Sequence, residues 1–249
     1  MLTEERHRYI LDLLEEKDTV SVQEITEKLN HSESTVRRDL TQLESQQKLV
    51  RVHGGAKKRR RPSEEASMEE KTVKFSHSKD RIAQFAASLV EDNDVIYVDA
   101  GSTTFAMIPY LKDRPVTVVT NGVPHASLLA DLHIETILLG GKIKQRTKAI
   151  IGPLTEQSLS RMYFTKAFMG MNGISVEYGL TTPDVEEASV KERAIRQANE
   201  PYILADSSKF GEVDFVKVAD VEDCVLITDH LPQSSRKLTD ITKVIEVQA

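Results

Sequence analysis

The chain has 249 residues, with 33 Lys or Arg against 39 Asp or Glu, a net charge of −6, 39% apolar residues and one cysteine. This is globular composition at a length that suits two modest domains, and Cys224 alone can neither close an intrachain disulfide nor supply a cysteine-rich zinc cluster. No run approaches the roughly 20 apolar residues of a bilayer span, and Met1-Leu2-Thr3-Glu4-Glu5-Arg6 lacks a signal-peptide core, so a cytoplasmic protein with no membrane partner is expected.

The charge is uneven. Residues 1–30 carry −4, residues 31–61 carry +6 and residues 62–249 carry −8. Screening acts over about 8 Å at physiological salt, so an anion at the basic segment feels mainly the local field, and the acidic total does not exclude nucleic acid.

Thr3 can cap a first helix running to about Glu16, with Leu2, Ile10, Leu13 and Leu14 at helical spacing for one buried face. Ser21-Val22-Gln23-Glu24 reads as a capping box opening a second, short helix to about Leu29, with Val20 and Ile25 placed as a hydrophobic staple. Asn30-His31 makes a tight turn. Ser32 can cap a third helix, in which Val36, Leu40 and Leu43 recur at i, i+4 and i+7. Three short helices in this rhythm predict a helix-turn-helix.

At about 100° per residue the buried stripe of the third helix leaves Ser34, Arg38, Thr41 and Gln42 facing outward, with Thr35 and Arg37 on the flanks. Hydroxyls, amides and guanidinia read base edges and phosphates, so this is a candidate recognition face rather than an ordinary solvated one. Leu49-Val50-Arg51-Val52 alternates like a strand and enters the turn His53-Gly54-Gly55, a candidate wing bringing Arg51 and His53 to the backbone.

The string Ser32-Glu33-Ser34-Thr35-Val36-Arg37-Arg38-Asp39-Leu40, then Leu43-Glu44 and Arg51-Val52-His53-Gly54-Gly55-Ala56, resembles the winged helix-turn-helix of the DeoR family of bacterial transcriptional repressors. It departs from the family at Gln47, where glycine is common. The resemblance implies operator DNA as partner, a homo-oligomer (dimer or tetramer), and DNA contacts from Ser32, Ser34, Thr35, Arg37, Arg38, Thr41, Gln42, Arg51 and His53. The cations of Lys57-Lys58-Arg59-Arg60-Arg61 are either a solvated tether or a phosphate-contacting arm. They open a basic, then acidic linker over residues 58–76, between a DNA-binding domain at 1–57 and a second domain at 77–249.

Beyond Ser78 the pattern becomes α/β. Ile82, Phe85, Ala86, Leu89 and Val90 form one helix face, and strand-like runs fall at 95–98, 116–119, 134–139, 167–169, 202–205 and 224–228. Strands alternating with helices predict a mainly parallel sheet covered on both faces. Polar loops follow the strands. Asp99-Ala100-Gly101-Ser102-Thr103-Thr104 opens a helix whose first amides suit a phosphate, without the spacing of a nucleotide-hydrolysing loop. Thr120-Asn121-Gly122, Gly140-Gly141-Lys142 and Gly170-Met171-Asn172-Gly173 follow further runs, each of which alone would be a simple turn. Asp184, Glu187 and Lys191 share one helix face, and Asp206-Ser207-Ser208-Lys209 places a cation after a strand.

Residues 99–104, Thr120-Asn121, Gly140-Gly141, Gly179-Leu180-Thr181 and 206–211 resemble the effector domain of the same family, so the resemblance covers nearly the whole chain. It implies a fold similar to ribose-5-phosphate isomerase and a phosphorylated sugar as ligand, without metal or cofactor. Gly101, Ser102, Thr103 and Thr104 would cradle the phosphate. Asp99, Asn121, Asp184, Glu187, Lys191 and Lys209 would surround the sugar, beside Gly140 and Gly141. Lys142, Lys144, Arg146 and Lys148 are candidates for a second anionic group. Met68-Glu69-Glu70-Lys71 and Asp99-Ala100-Gly101-Ser102 look most like repressors of fructose-utilisation operons, implying fructose 1-phosphate; lactose-pathway repressors sensing tagatose 6-phosphate are the close alternative. A second reading is a sugar-phosphate isomerase with an accessory domain, in which Asp184 or Glu187 shuttles protons. A basic recognition helix and wing favour the repressor, a non-enzyme.

Overall fold

The computed structural model describes residues 2–17, 19–46, 48–52, 54–58 and 67–247, and the chain divides into two compact units, Met1–Glu64 and Glu65–Ala249. His53, Gln47 and Arg59-Arg60-Arg61 lie outside the described residues.

The first unit runs α1 (Thr3–Lys17), β1 (Thr19–Ser21), α2 (Val22–Leu29), α3 (Glu33–Ser45), β2 (Leu49–Val52) and β3 (Gly55–Lys58). The strands form an antiparallel sheet in the order β1-β3-β2. Its core joins Ile10, Leu13 and Leu14 of α1 to Val22 and Ile25 of α2 and to Val36, Leu40 and Leu43 of α3, closed by Val20, Leu49 and Ala56. Leu2, expected on the buried face of α1, is 72% exposed, because it precedes the first turn and its N–H donates to Glu5. Ser21 Oγ accepts from Glu24 N (3.1 Å) as a capping box requires, but the Glu24 carboxylate takes Lys17 at 2.5 Å. Asn30 ends α2 in the left-handed conformation (φ 51°), turning the chain into Ser32, which caps α3 through Thr35 N (3.4 Å). At Gly55 a Cβ would strike the Val20 carbonyl, so the close approach of β3 to β1 requires glycine.

The second unit opens with α4 (Met68–Val73) and α5 (Ser76–Ser88). The stretch read from sequence as linker, 58–76, therefore holds a helix whose Ser67 and Glu70 complete a capping box. There follow β4 (Val95–Val98), α6 (Ser102–Met107), β5 (Thr117–Thr120), α7 (Val123–Asp131), β6 (Glu135–Leu138), β7 (Lys142–Ile143), β8 (Ile150–Ile151), α8 (Pro153–Leu159), β9 (Phe164–Gly170), β10 (Gly173–Ser175), β11 (Gly179–Thr182), α9 (Val185–Arg196), β12 (Ala198–Leu204), β13 (Val216–Ala219), β14 (Val225–Thr228) and β15 (Val244–Glu246).

Seven strands form one sheet in the order β15-β14-β12-β9-β4-β5-β6, and every neighbouring pair is parallel. Side chains alternate across it. Tyr97, Ala167, Met169, Ile203 and Leu226 join the core under α8 and α9, while Ile96, Val98, Phe168, Tyr202 and Leu204 join the core under α5, α6 and α7. Phe168 stacks on Tyr202 with ring centroids 5.4 Å apart. A small antiparallel sheet, β10-β11-β13, and the β7–β8 hairpin flank this body. From β4 the chain winds through β5 to β6, and from β9 the opposite way through β12 and β14 to β15. The winding reverses between β4 and β9, and such a reversal leaves a crevice beyond the strand ends. No described helix is long and apolar enough to cross a membrane.

Candidate functional site

In the first unit α3 presents its N-terminal half to solvent. Ser32, Ser34, Arg37, Arg38, Thr41 and Gln42 are exposed and Thr35 is half-buried. Ser32 Oγ lies 3.0 Å from Ser34 Oγ and 2.9 Å from Thr35 Oγ1, so three predicted DNA ligands form one hydroxyl cluster. Arg37 pairs back along the helix with Glu33. Thr41 Oγ1 donates to Arg37 O (2.9 Å) and accepts from Arg51 Nη1 (3.0 Å), which brings the predicted wing residue Arg51 to the recognition helix. Gln42 borders a groove between α3 and α1.

α3 is tied to α1 by a residue to which the sequence reading gave no role. Asp39 is 2% exposed and accepts from Arg6 Nε (2.7 Å) and Nη2 (2.9 Å), with His7 Nε2 at 3.3 Å. Burial alone would raise its pKa, but the Arg6 hydrogen bonds and the charges of Arg6 and His7 outweigh it and hold the carboxyl below the usual range.

In the second unit a cavity occupies the crevice at the reversal point. It is lined by Asp99, Gly101, Ser102 and Thr103 after β4, Asn121 after β5, Gly170, Met171 and Asn172 at the end of β9, and Lys209 after β12. Glu187 and Lys191 of α9, Thr147 of the β7–β8 hairpin, and Met68 and Lys71 of α4 complete it. Eight of the predicted effector residues thus share one wall-to-wall space, although they come from segments up to 110 residues apart. Lys191 pairs with Asp99 and also donates to Gly170 O (2.9 Å); Asp99 Oδ2 accepts from Gly170 N (3.1 Å). Glu187 accepts from Thr147 Oγ1 (2.7 Å) and meets Lys144 at 3.3 Å. Asn121 fastens the floor, accepting from Ala100 N (3.0 Å) and donating to Ile150 O (3.1 Å). The amides of Ser102 and Thr103 belong to the first turn of α6 and have no acceptor within the helix.

The other predicted effector residues lie elsewhere. Thr104 is fully buried and its hydroxyl donates to Asp99 O (2.6 Å) or Gly101 O (2.8 Å), which shapes the α6 entry from beneath. Asp184 caps α9 through Glu187 N (2.9 Å) and pairs with Lys144 at 3.2 Å. Gly140 O accepts from Thr155 Oγ1 (2.9 Å), and a Cβ on Gly141 (φ 153°) would strike that same hydroxyl. Lys142 pairs with Glu186 (3.0 Å), so Lys142 and Lys144 face carboxylates of α9. Among the described residues no cluster of His, Cys, Asp and Glu suits a metal.

Around the cavity, Lys71, Lys79 and His125 were given no binding role in the sequence reading, and Asp206 was named only as part of the loop before Lys209. Lys71 lines the cavity directly. Lys79, 5% exposed, donates through Nζ to Lys71 O, and its pKa is pushed down to about 8 by burial, opposed by Asp206 and reinforced by Lys209, Lys71 and Lys74. Asp206, 1% exposed, has one carboxylate oxygen without a partner. His125, 1% exposed, bonds the Gly101 carbonyl through Nε2 (3.0 Å), and burial pushes its pKa down to about 4 against the pull of Asp99, so it is a neutral Nε2–H donor with Nδ1 unpartnered. The Ser-x-x-Glu pattern at Ser67-Met68-Glu69-Glu70 is the sequence signal for α4.

A hydroxyl- and guanidinium-bearing helix beside a wing, and in a second unit an α/β crevice that combines helix amides, ammonium groups and carboxylates, define a DNA-binding regulator with a small-molecule sensor domain. Two family models match: the DeoR-like helix-turn-helix domain over residues 6–61 and the DeoR C terminal sensor domain over residues 74–230. The chain belongs to the DeoR family of transcriptional regulators. It is 48% identical over 229 residues to a Bacillus subtilis protein described as an uncharacterized HTH-type transcriptional regulator FruR, covering 92% of this chain and 91% of the relative. It is 36% identical to a lactose phosphotransferase system repressor of Streptococcus mutans, covering 99% of both. Ribose 5-phosphate isomerase A of Methanocaldococcus jannaschii is similar over 53% of each chain at 20% identity, with a TM-score of 0.40.

Proposed function

We propose that the protein represses a sugar-utilisation operon, of the fructose pathway, and that fructose 1-phosphate sets its affinity for the operator. The observation that carries this reading is the cavity itself. The first-turn amides of α6 and the hydroxyls of Ser102 and Thr103 suit a phosphate, with Lys71 and Lys209 adding positive charge to the lining. Asp99, Glu187 and Lys191 line the same space with acceptors and a donor for sugar hydroxyls. The identity to a FruR regulator supports fructose, and the lower identity to a lactose-system repressor supports tagatose 6-phosphate as the competing ligand.

Turnover of the sugar is no part of this reading. Asp99 is engaged by Lys191 and Gly170 and Glu187 by Thr147 and Lys144, and likeness of fold transfers no activity. Ser32, Ser34, Thr35, Arg37, Arg38 and Arg51 contact DNA in this reading, with a homo-oligomer setting the spacing of two recognition helices over a repeated operator. The effector lowers affinity by binding more tightly to an arrangement in which those helices no longer match their half-sites.

The test is fluorescence anisotropy of the operator upstream of the fructose genes, titrated with protein in the presence of fructose 1-phosphate, tagatose 6-phosphate or neither. Weakened binding with fructose 1-phosphate at lower concentration than tagatose 6-phosphate supports the proposal; the reverse order assigns the lactose pathway. Operator affinity indifferent to both overturns the coupling. Light scattering of the purified chain reads the oligomer, and a monomer on and off DNA overturns that part.

A further inference from the structure

The geometry points to α4 as a hinged lid over the sugar-phosphate cavity, turning at Phe75 and latching on the β7–β8 hairpin. This rests on the effector reading above and adds how the site is entered.

Three independent features meet in α4. The helix has only six residues, too few to hold its shape by its own hydrogen bonds, and among them Met68 alone is buried while Val73 is 79% exposed. Its inward side is nevertheless cavity wall, through Met68 and Lys71. A ligand in the cavity therefore supplies contacts that the empty protein lacks, and the closed position is favoured by the ligand's differential binding.

Two of its attachments, one near each end, are single hydrogen bonds. At the start the Met68 amide donates to the Arg146 carbonyl (3.2 Å) in the loop joining β7 to β8. At the end the Lys79 ammonium holds the Lys71 carbonyl. Each is a single hydrogen bond that water can replace.

The joint is strained. Phe75 adopts φ 57°, ψ 33° between α4 and α5, a left-handed conformation that costs a bulky side chain free energy, and its ring is 47% exposed and gains little burial in return. Swinging α4 outward lets this residue return to an ordinary extended conformation. Closing restores the strain, and ligand contacts to Met68 and Lys71 offset it.

Amide hydrogen exchange on the full-length protein, with fructose 1-phosphate and tagatose 6-phosphate as probes, tests the lid. In the free protein the amides of residues 71–74 should exchange at least tenfold faster than those of residues 82–87 in α5, and a probe that raises the melting temperature should slow them at least tenfold. As a second test, the double variant Met68→Cys/Arg146→Cys is compared oxidised and reduced; Cys224 does not compete, because burial pushes its thiol up to about 12. Oxidation should slow release of bound sugar phosphate at least tenfold. Exchange in α4 unchanged by a probe that does raise the melting temperature, or equal release rates in the two redox forms, overturns the lid alone. No melting shift with either sugar phosphate overturns the effector reading, and the lid with it.

Discussion

Asp39 of the recognition helix and Arg6 of α1 form a two-pronged ion pair, Nε to Oδ2 at 2.7 Å and Nη2 to Oδ1 at 2.9 Å, with the carboxylate 2% exposed. The pair ties α3 to α1 beside the face proposed to contact DNA. Removing one partner of such a buried pair leaves the other uncompensated, so Asp39→Ala should destabilise the first unit by about 3 kcal/mol. The pH dependence has a definite sign. The folded carboxyl sits below its ordinary value, so its contribution is complete above about pH 4 and is lost as pH falls through the folded value, where the unfolded chain has already taken the proton. Urea unfolding from pH 6 to 2 should show this component in the wild type and not in Asp39→Asn.

The helix-turn-helix was legible because Val36, Leu40 and Leu43 repeat at helical spacing and are all fully buried, and because Ser21 and Ser32 stand where caps belong. The strand at 95–98 was legible for the same local reason, as an apolar run flanked by polar turns. β10, β11 and β13 were not, since Gly-Ile-Ser and Gly-Leu-Thr-Thr carry no run long enough to separate strand from turn, and only pairing with one another makes them strands. The cavity divides likewise. Asp99, Asn121 and Lys209 follow strands directly, so a parallel sheet already gathers them. Lys71, Lys79 and His125 approach it only through tertiary packing of helices, and no spacing in the chain encodes that. Asp39 sits beside the buried stripe of α3, and its partner is 33 residues away.

Arg38 is the exposed guanidinium on the outer face of α3, whereas Arg37 is tied to Glu33. Arg38→Ala should weaken operator binding by about 1–3 kcal/mol. A loss confined to the specific operator marks a base contact, and a uniform loss with a salt slope lower by about one marks a phosphate contact. Anisotropy titrations at several salt concentrations separate the two, and affinity equal to wild type removes Arg38 from the interface.

His125 bonds the Gly101 carbonyl from beneath the α6 entry and is held neutral by burial, with its pKa pushed down to about 4. The unfolded imidazole takes its proton near pH 6.5. Between those values the unfolded state binds more protons, so the second unit should lose about 1.4 kcal/mol of stability per pH unit as pH falls from 6.5 towards 4. Above 6.5 the group contributes no slope. Thermal unfolding of the sensing unit followed across pH 4–8 should show this loss, and His125→Gln should flatten it while lowering the affinity for sugar phosphate by loosening Gly101.

Lys79 should make the proposed effector response dependent on pH. Burial and the neighbouring Lys209, Lys71 and Lys74 push its pKa down to about 8 despite Asp206, so around pH 8.5 much of the folded protein has an uncharged amine behind Lys71, which lines the cavity. A phosphate arriving beside Lys71 and Lys209 favours the charged form and pulls a proton from solvent. Sugar-phosphate binding at pH 8.5 should therefore take up a fraction of a proton, and affinity should fall as pH rises from 7 to 9. Calorimetric titrations in two buffers of different ionisation enthalpy measure that uptake directly. In Lys79→Gln the uptake should vanish and the pH dependence flatten, with weaker binding at pH 7; uptake undiminished in this variant would place the titrating group elsewhere.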